Sequence, residues 1–529
     1  MSAALTRRFG FLHDILLDTT PRPGLDPIPG TKPLSVTAAA LPPVIYYVAL
    51  LLLAPAPPRF VDTLPATVIR SALATVSCIF FIRLSVCYHV PQSIGLTYQL
   101  GLVSLYGACR VVDAFFISPY VFGHIPRRVH YQHKARPSTP ETRTRSNLRE
   151  WTNGGITDPF TFDSQLLLRR GGGAMVTEGA VSSATHSIPD IKDGLIDDGA
   201  VGAPSHRRSG SFAALRRSIS GPDPNPVYEI AMTEKGWPET LSDRAAWALE
   251  LELSMRGVGF TWTTADVRHT RKTWLPGVKN RLHSILVHAL PVLLASWATI
   301  RLVYIQFLLD PHDGSLSSIG DLFDERLPIH VQLSLTAALG AFLMSAFSVG
   351  HSLFAIMLSP LAPSPLSFFP PLYTTRIWGI TSVRQFWSFG WHRLFGRLFL
   401  VYGVWPGQWI ERKLTRKGKD EPADVGKVLG GFLSSAVVHS LSVRGVLAGN
   451  WFDALGEARF FALNGVAVIV EETVIRFIRS RRKRHAMDLH MWYDQWVGRV
   501  WWIGVVLWTG RNFARGWVKA NLVREMAFM

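Results

Sequence analysis

The chain has 529 residues, 48% of them hydrophobic, with 18 Trp, 30 Phe and a formal net charge of +17. A charge of that size suits nucleic acid, but the Lys and Arg fall in short segments between apolar blocks of about twenty residues, the pattern of a membrane protein with basic cytoplasmic loops rather than of a nucleic-acid binder. Three cysteines, Cys78, Cys87 and Cys109, odd in number and without a CxxC, indicate neither a disulfide framework nor a zinc site.

Residues 1–40 read as an irregular lead-in without a compact signal peptide, so the first span is expected to act as the insertion signal. The first transmembrane helices are expected within 41–120: a short Pro-flanked span from Pro42 to Pro55, a second from Leu64 to Val86 and a third from Tyr98 to Tyr120. The third carries Arg110 and Asp113 at i,i+3, a spacing that lets them neutralise each other. Residues 121–226 then form a basic, Ser/Gly-rich segment with too few apolar residues to offset its ordering entropy, and it reads as a disordered cytoplasmic loop. Within it, R-R-S-G-S at Arg207 to Ser211 and R-R-S-I-S at Arg216 to Ser220 suit basophilic kinases, although a solvated basic loop explains them as well.

Order is expected to return at 227–529. Leu241 to Arg256 has helical spacing, with Ser242 as an N-cap and an amphipathic face for the membrane surface. The glycines of R-G-V-G-F-T-W, Arg256 to Trp262, permit a tight turn, and its aromatics suit an interface. Further spans are expected at Leu282 to Leu309, Ile329 to Leu358, Val428 to Leu447, Phe460 to Phe477 and Trp496 to Trp508. The Pro-rich run Pro360 to Pro371 forbids a regular helix, and Leu394 to Ile410, interrupted by Pro406, reads as a re-entrant or tilted short span. A short loop holding Asp453 and Glu457 follows the Val428 span, and the arginine block Arg476 to Arg484 is placed in the cytoplasm. The expected fold is all-α: a polytopic transmembrane helical protein of about eight spans, plus re-entrant elements, around an intramembrane chamber.

The chemistry centres on S-V-R-Q-F-W-S-F-G-W-H-R, Ser382 to Arg393, and on His439 within the apolar F-L-S-S-A-V-V-H-S-L. A bilayer leaves a buried histidine no water, so it must be paired, hydrated or functional. Periodicity alone makes such a histidine more often a structural residue, and His283, His288 and His351 are left in that class. Glu471 and Glu472 are also read as structural, as partners for Arg110 or Arg476 or as residues of a wet interface. His392 and His439 are read as facing each other across the chamber, with Ser435 one turn before His439 on the same face. Imidazole can take a proton from an alcohol hydroxyl in such a pocket. Arg384, Arg393 and the basic residues from Arg412 and Lys413 to Lys419 are candidates for phosphate groups.

The motif S-x-R-x-F-W-x-x-x-W-[HN], matched by Ser382, Arg384, Phe386, Trp387, Trp391 and His392, resembles the membrane-bound O-acyltransferase superfamily in its wax synthase-like branch, which includes fungal enzymes that acetylate terpenoids. A second element, F-x-x-S-G-x-x-H, is matched by Phe432, Ser435 and His439, with Ala436 in place of the Gly; Ser388 replaces a common Gly after the F-W pair. Arg256 to Trp262 is similar to R-G-[IV]-G-x-x-W of fungal members, and the matches together span Val227 to Trp508.

The resemblance implies catalysis by His439, with His392 as its partner. It implies substrate binding by Trp387, Trp391, Arg384, Ser435 and Phe386, and donor binding by Arg393, Arg412 and Lys413. The donor would be acyl-CoA as a co-substrate, with no permanently bound cofactor and no metal. The acceptor would be a lipophilic alcohol, a terpenoid or other secondary metabolite receiving a short acyl group, or a long-chain alcohol giving a wax ester. The expected partner is the lipid bilayer, with no nucleic acid, and the expected site a multi-pass position in the endoplasmic reticulum membrane. A transporter suits the Pro-broken spans and intramembrane glutamates but lacks paired repeats. A non-catalytic scaffold acting through the long loop is disfavoured by the presence of both histidines.

Overall fold

The computed structural model describes residues 27–53, 64–135, 228–234, 237–262, 278–309, 322–358, 372–373, 377–391, 394–418, 423–488 and 491–528. Among the described residues, four helices are long and apolar enough to cross a membrane: α2 (Leu64–Cys87), α3 (Ile94–Tyr120), α5 (Val278–Leu308) and α6 (Ile329–Leu358). A shorter apolar helix, α1 (Val36–Leu51), precedes them. At 24 residues α2 is about 36 Å long, enough for the hydrocarbon core. Its expected boundary and those of α5 and α6 agree with the helices to within a few residues, whereas α1 starts well before Pro42.

Four is fewer than the eight spans expected: the first expected span is the shorter helix α1, and the other three lie in the last third of the chain. There α8 (Asp424–Arg444), α9 (Trp451–Arg484) and α10 (Asp494–Lys519) have 21, 34 and 26 residues. Their length suffices, but they carry more charge, and several of their polar side chains point at one another. Asp453 and Glu457 do not lie in a loop: Asn450 caps α9, accepting from the amides of Phe452 and Asp453, and both acids fall in its first two turns. Residues 394–410, expected as one re-entrant or tilted span, contribute a short helix at Gly396–Phe399, a π turn at Leu400–Val404 and then α7 (Trp405–Thr415). Pro406 directly follows the π turn, and the helical run continues through it.

Several expected pairings are replaced. Arg110 and Asp113 do not neutralise each other. Arg397 takes Asp113, with Nε to Oδ2 at 2.5 Å and Nη2 to Oδ1 at 3.0 Å. Arg110 instead donates to the carbonyls of Leu251, Ser254 (3.0 Å) and Met255 (3.3 Å), capping the C-terminal end of α4 (Leu241–Leu253). The N-cap of α4 is Thr240, which accepts from Asp243 at 3.1 Å, not Ser242. Trp247, Ala248 and Leu251 of α4 are buried with Tyr46 of α1 and Phe115 of α3, so this face meets protein rather than lipid. Phe260 and Trp262 are fully buried too, not interfacial; Gly257 (φ 68°) and Gly259 (φ 80°) make the turn that tucks them in.

The segment read as a long disordered loop, 121–226, begins in structure, and the partner of its strand lies just past its end, where order was expected to return. Val129–Ala135 (β3) and Tyr228–Glu234 (β4) pair antiparallel, Val129 opposite Glu234. A two-residue parallel pair joins Lys32–Pro33 (β1) to Tyr88–His89 (β2). The serine motifs at 207–220, the greater part of the lead-in 1–40 and the run 360–371 lie outside the described residues.

The helices of the last third approach very closely. Gly403 and Gly407 face Gly430 and Gly426 of α8. A Cβ on Gly407 would stand 2.0 Å from the Gly426 carbonyl oxygen, and one on Gly430 would stand 2.1 Å from that of Gly403. Two small-xxx-small ridges in contact bring the backbones together without side chains between them. This crossing sets one wall of the site.

Candidate active site

The motif stretch folds as a single short turn of helix, Val383–Gln385, running into a π turn at Phe386–Gly390. Ser382 is its N-cap and accepts from the Gln385 amide at 3.0 Å. Glu471 of α9 accepts from the two free amides of that turn, Val383 at 2.7 Å and Arg384 at 3.2 Å. Its carboxylate therefore serves as a helix cap from a distant element and pairs with neither Arg110 nor Arg476. The adjacent Glu472 pairs with Arg384 at 2.8 Å, while Arg476 pairs with Asp424 at 2.8 Å.

Seated on α9, the turn aims its aromatics at α8 and α10. Phe386 is buried and stacks on Trp502 at 5.2 Å and 13°. Trp387 meets Phe432, Phe460 and Phe461 at 5.5 to 5.7 Å. Its Nε1 donates at 3.0 Å to Asn464, a fully buried side chain whose own amide donates to Phe460 and Thr509. That satisfied network fixes the indole plane.

Around these groups lies a cavity of about 200 Å³. Its aromatic part is formed by Trp387, Trp391, Phe395, Phe399, Phe432 and Phe461, with Ser435 and His439 in its wall. Its other lining residues include Arg384, Asp424, Lys427, Glu472 and Arg476. Asp424 and His439 are fifteen residues apart on α8, so the helical rise separates them by about 22 Å. The cavity is thus a slot with a charged rim at one end and an imidazole at the other.

His439 is held by residues that the motifs do not contain. Its Nδ1 is 2.8 Å from the Tyr98 hydroxyl and 3.3 Å from Glu457 Oε2. Tyr98 donates to Glu457 Oε2 at 3.1 Å, and Trp517 Nε1 donates to Oε1 at 2.9 Å. Phe461 packs on the imidazole at 4.6 Å between centroids. Among the described residues Nε2 has no hydrogen-bond partner.

Of the site residues expected from sequence, the fold brings Arg384, Trp387, Trp391, Ser435 and His439 to one cavity. Phe386 lies behind that wall as support. Arg412 and Lys413 are on α7 and do not line the cavity; Lys413 instead sits over the Trp409 ring at 4.3 Å. Lys427 and Arg476 take the rim position expected of Arg412 and Lys413. His392 and Arg393 lie outside the described residues. Tyr98, Glu457, Asn464 and Trp517 were missed. A lone acid eighteen residues past a histidine carries no motif, and only the i,i+4 spacing of Glu457 and Phe461 hinted at a shared face.

Residues 369–463 match the model of a family described as the membrane bound O-acyl transferase family. That stretch contains the aromatic turn, His439 and Glu457. Over 280 residues, 51% of this chain and 69% of the relative, the chain is 27% identical to a protein named acetyltransferase eriL from Hericium erinaceus. No solved structure matches it. Both similarities support a family relationship with the membrane-bound O-acyltransferases and an acyltransferase activity. With its long apolar helices, it is an integral membrane protein.

Proposed function

We propose that this protein transfers a short acyl group, acetyl first among them, from acyl-CoA to the hydroxyl of a lipophilic alcohol such as a terpenoid or other secondary metabolite. The observation that carries this reading is His439 in the wall of an aromatic slot with a charged rim. The name of the acetyltransferase relative supports a short acyl donor.

In this reaction Nε2 of His439 takes the hydroxyl proton as the alcohol oxygen attacks the thioester carbonyl. The tetrahedral intermediate collapses with cleavage of the C–S bond, and the departing thiolate of coenzyme A takes the proton back from His439. No covalent acyl-enzyme forms, and the proton count closes without a further reactant. Ser435, one turn before His439, is placed to orient the acceptor hydroxyl. Trp387, Trp391 and Phe461 exclude water, which would otherwise compete for the acyl group.

The donor lies along the slot. Its phosphates meet Lys427, Arg476 and Arg384 at the rim and its pantetheine arm runs towards His439. Arg476 opens the arginine block that ends α9, which favours a cytoplasmic rim in a multi-pass protein of the endoplasmic reticulum membrane. His392, carried by the family resemblance, is assigned to hold the thioester carbonyl or the leaving group.

The test is transfer of labelled acetyl-CoA or palmitoyl-CoA to fatty, sterol and terpenoid alcohols by purified wild type and His439→Ala. The variant is expected to lose about 10²–10⁴-fold in kcat while keeping its thermal unfolding midpoint. Undiminished transfer by the variant would remove His439 from the chemistry. A wild-type preference for palmitoyl-CoA and a long-chain alcohol would replace acetyl transfer with wax-ester synthesis.

A further inference from the structure

Glu457 is 1% exposed, and a carboxylate buried so completely needs partners. Its own helix supplies no cation: the neighbours at i±3 and i±4 are Asp453, Ala454, Phe460 and Phe461. Its partners come from three other helices, Tyr98 of α3, His439 of α8 and Trp517 of α10. Resting on the reading of His439 as general base, we infer that Glu457 is a positioning residue: through Tyr98 it holds His439 in the tautomer with its proton on Nδ1, and so keeps Nε2 bare to receive the acceptor's proton.

The donor count carries this assignment. A tyrosine hydroxyl has one proton to give, and an ionised carboxylate can only accept. The Tyr98 proton is committed to Glu457 Oε2 at 3.1 Å. Its oxygen therefore accepts at the 2.8 Å contact with Nδ1, which makes Nδ1 the protonated nitrogen. In the reverse arrangement Tyr98 would donate to a bare Nδ1. The Nδ1 lone pair and Glu457 Oε2 would then face each other at 3.3 Å with no proton between them. Trp517 holds the second carboxylate oxygen at 2.9 Å and prevents the group from turning away. The same carboxylate stabilises the imidazolium that forms when Nε2 gains its proton. Phe461 at 4.6 Å and Phe513 at 6.0 Å restrict rotation of the ring.

The experiment uses the full chain in lipid nanodiscs and compares wild type, His439→Ala, Glu457→Gln and Glu457→Asp. One readout needs no acceptor: the rate at which diethyl pyrocarbonate modifies His439, resolved by peptide mass spectrometry at a pH where imidazole is neutral. Glu457→Gln is expected to slow that modification by about tenfold or more, with modification of His283 unchanged. In acetyl-CoA assays the same variant is expected to lose about 10²-fold in kcat with an unchanged KM for acetyl-CoA, and Glu457→Asp to recover part of the loss. Wild-type modification and wild-type kcat in Glu457→Gln would overturn the inference. If His439→Ala is inactive in that same set, the proposed function stands without it; a fully active His439→Ala would overturn both. Where Glu457→Gln does not fold, the ¹⁵N spectrum of histidine-labelled wild type decides, the His439 signals being those lost in His439→Ala. A protonated Nδ1 and a bare Nε2 are expected, and a proton on Nε2 overturns the inference.

Discussion

The four apolar helices α2, α3, α5 and α6 and the polar-lined group α8 to α10 differ in what they turn inward. Along α2, Val68, Ile69, Ile79 and Val86 are all more than half exposed, so its apolar surface faces outward. In α8 to α10 the outward face is apolar as well, but the inward face is polar. Glu457, Asn464, Glu471 and Thr509 turn inward and are satisfied there, while Leu433, Val437 and Val470 are exposed. The outward face of the first group needs only to be apolar, and many residues serve equally well. The inward face of the second must match donors to acceptors one by one, because an unmatched polar group in a water-poor interior is expensive. α3 belongs to both groups: its apolar length is that of a span, and its Tyr98 reaches His439.

The contrast predicts unequal tolerance. Gly430→Leu should have the largest effect, because its side chain must enter a contact where even a Cβ would stand 2.1 Å from the Gly403 carbonyl oxygen. A loss of about 3 kcal/mol or failure to assemble is expected in thermal unfolding, together with loss of transfer. Normal assembly would mean that the crossing of α7 and α8 is not a tight one. Asn464→Leu comes next. It leaves the Trp387 indole N–H without its acceptor, and a drop of about 1–3 kcal/mol is expected with a lower kcat. A drop in kcat without any loss of stability would make Asn464 part of the chemistry rather than of its support. Val68→Ala on the outer face of α2 should change stability by no more than about 0.5 kcal/mol. A larger loss would show that this face meets protein, and the contrast between the two groups would fail there.

Much of the site was legible because its parts are local. The aromatic run Phe386 to Trp391 and the Ser435–His439 spacing each lie within one or two helical turns, and the structure brings Arg384, Trp387, Trp391, Ser435 and His439 to one cavity. The errors came from pairs that are distant in sequence. Arg110 and Asp113 have a fitting i,i+3 spacing, yet each found a better partner across the bundle. Arg412 and Lys413 are as basic as Lys427 and Arg476, but α7 carries them away from the cavity. Phe260 and Trp262 have interfacial composition and are nevertheless buried.

By itself, the sequence determined the helical class, the apolar helices and several residues of the candidate site, since hydrophobic runs and short motifs act over one or two turns. Only the tertiary structure decided which acid meets which base. Tyr98, Glu457 and Trp517 come from three helices and converge on a histidine up to 341 residues away. No local periodicity records that convergence, because it follows from close backbone packing and from the need of each buried polar group for a partner.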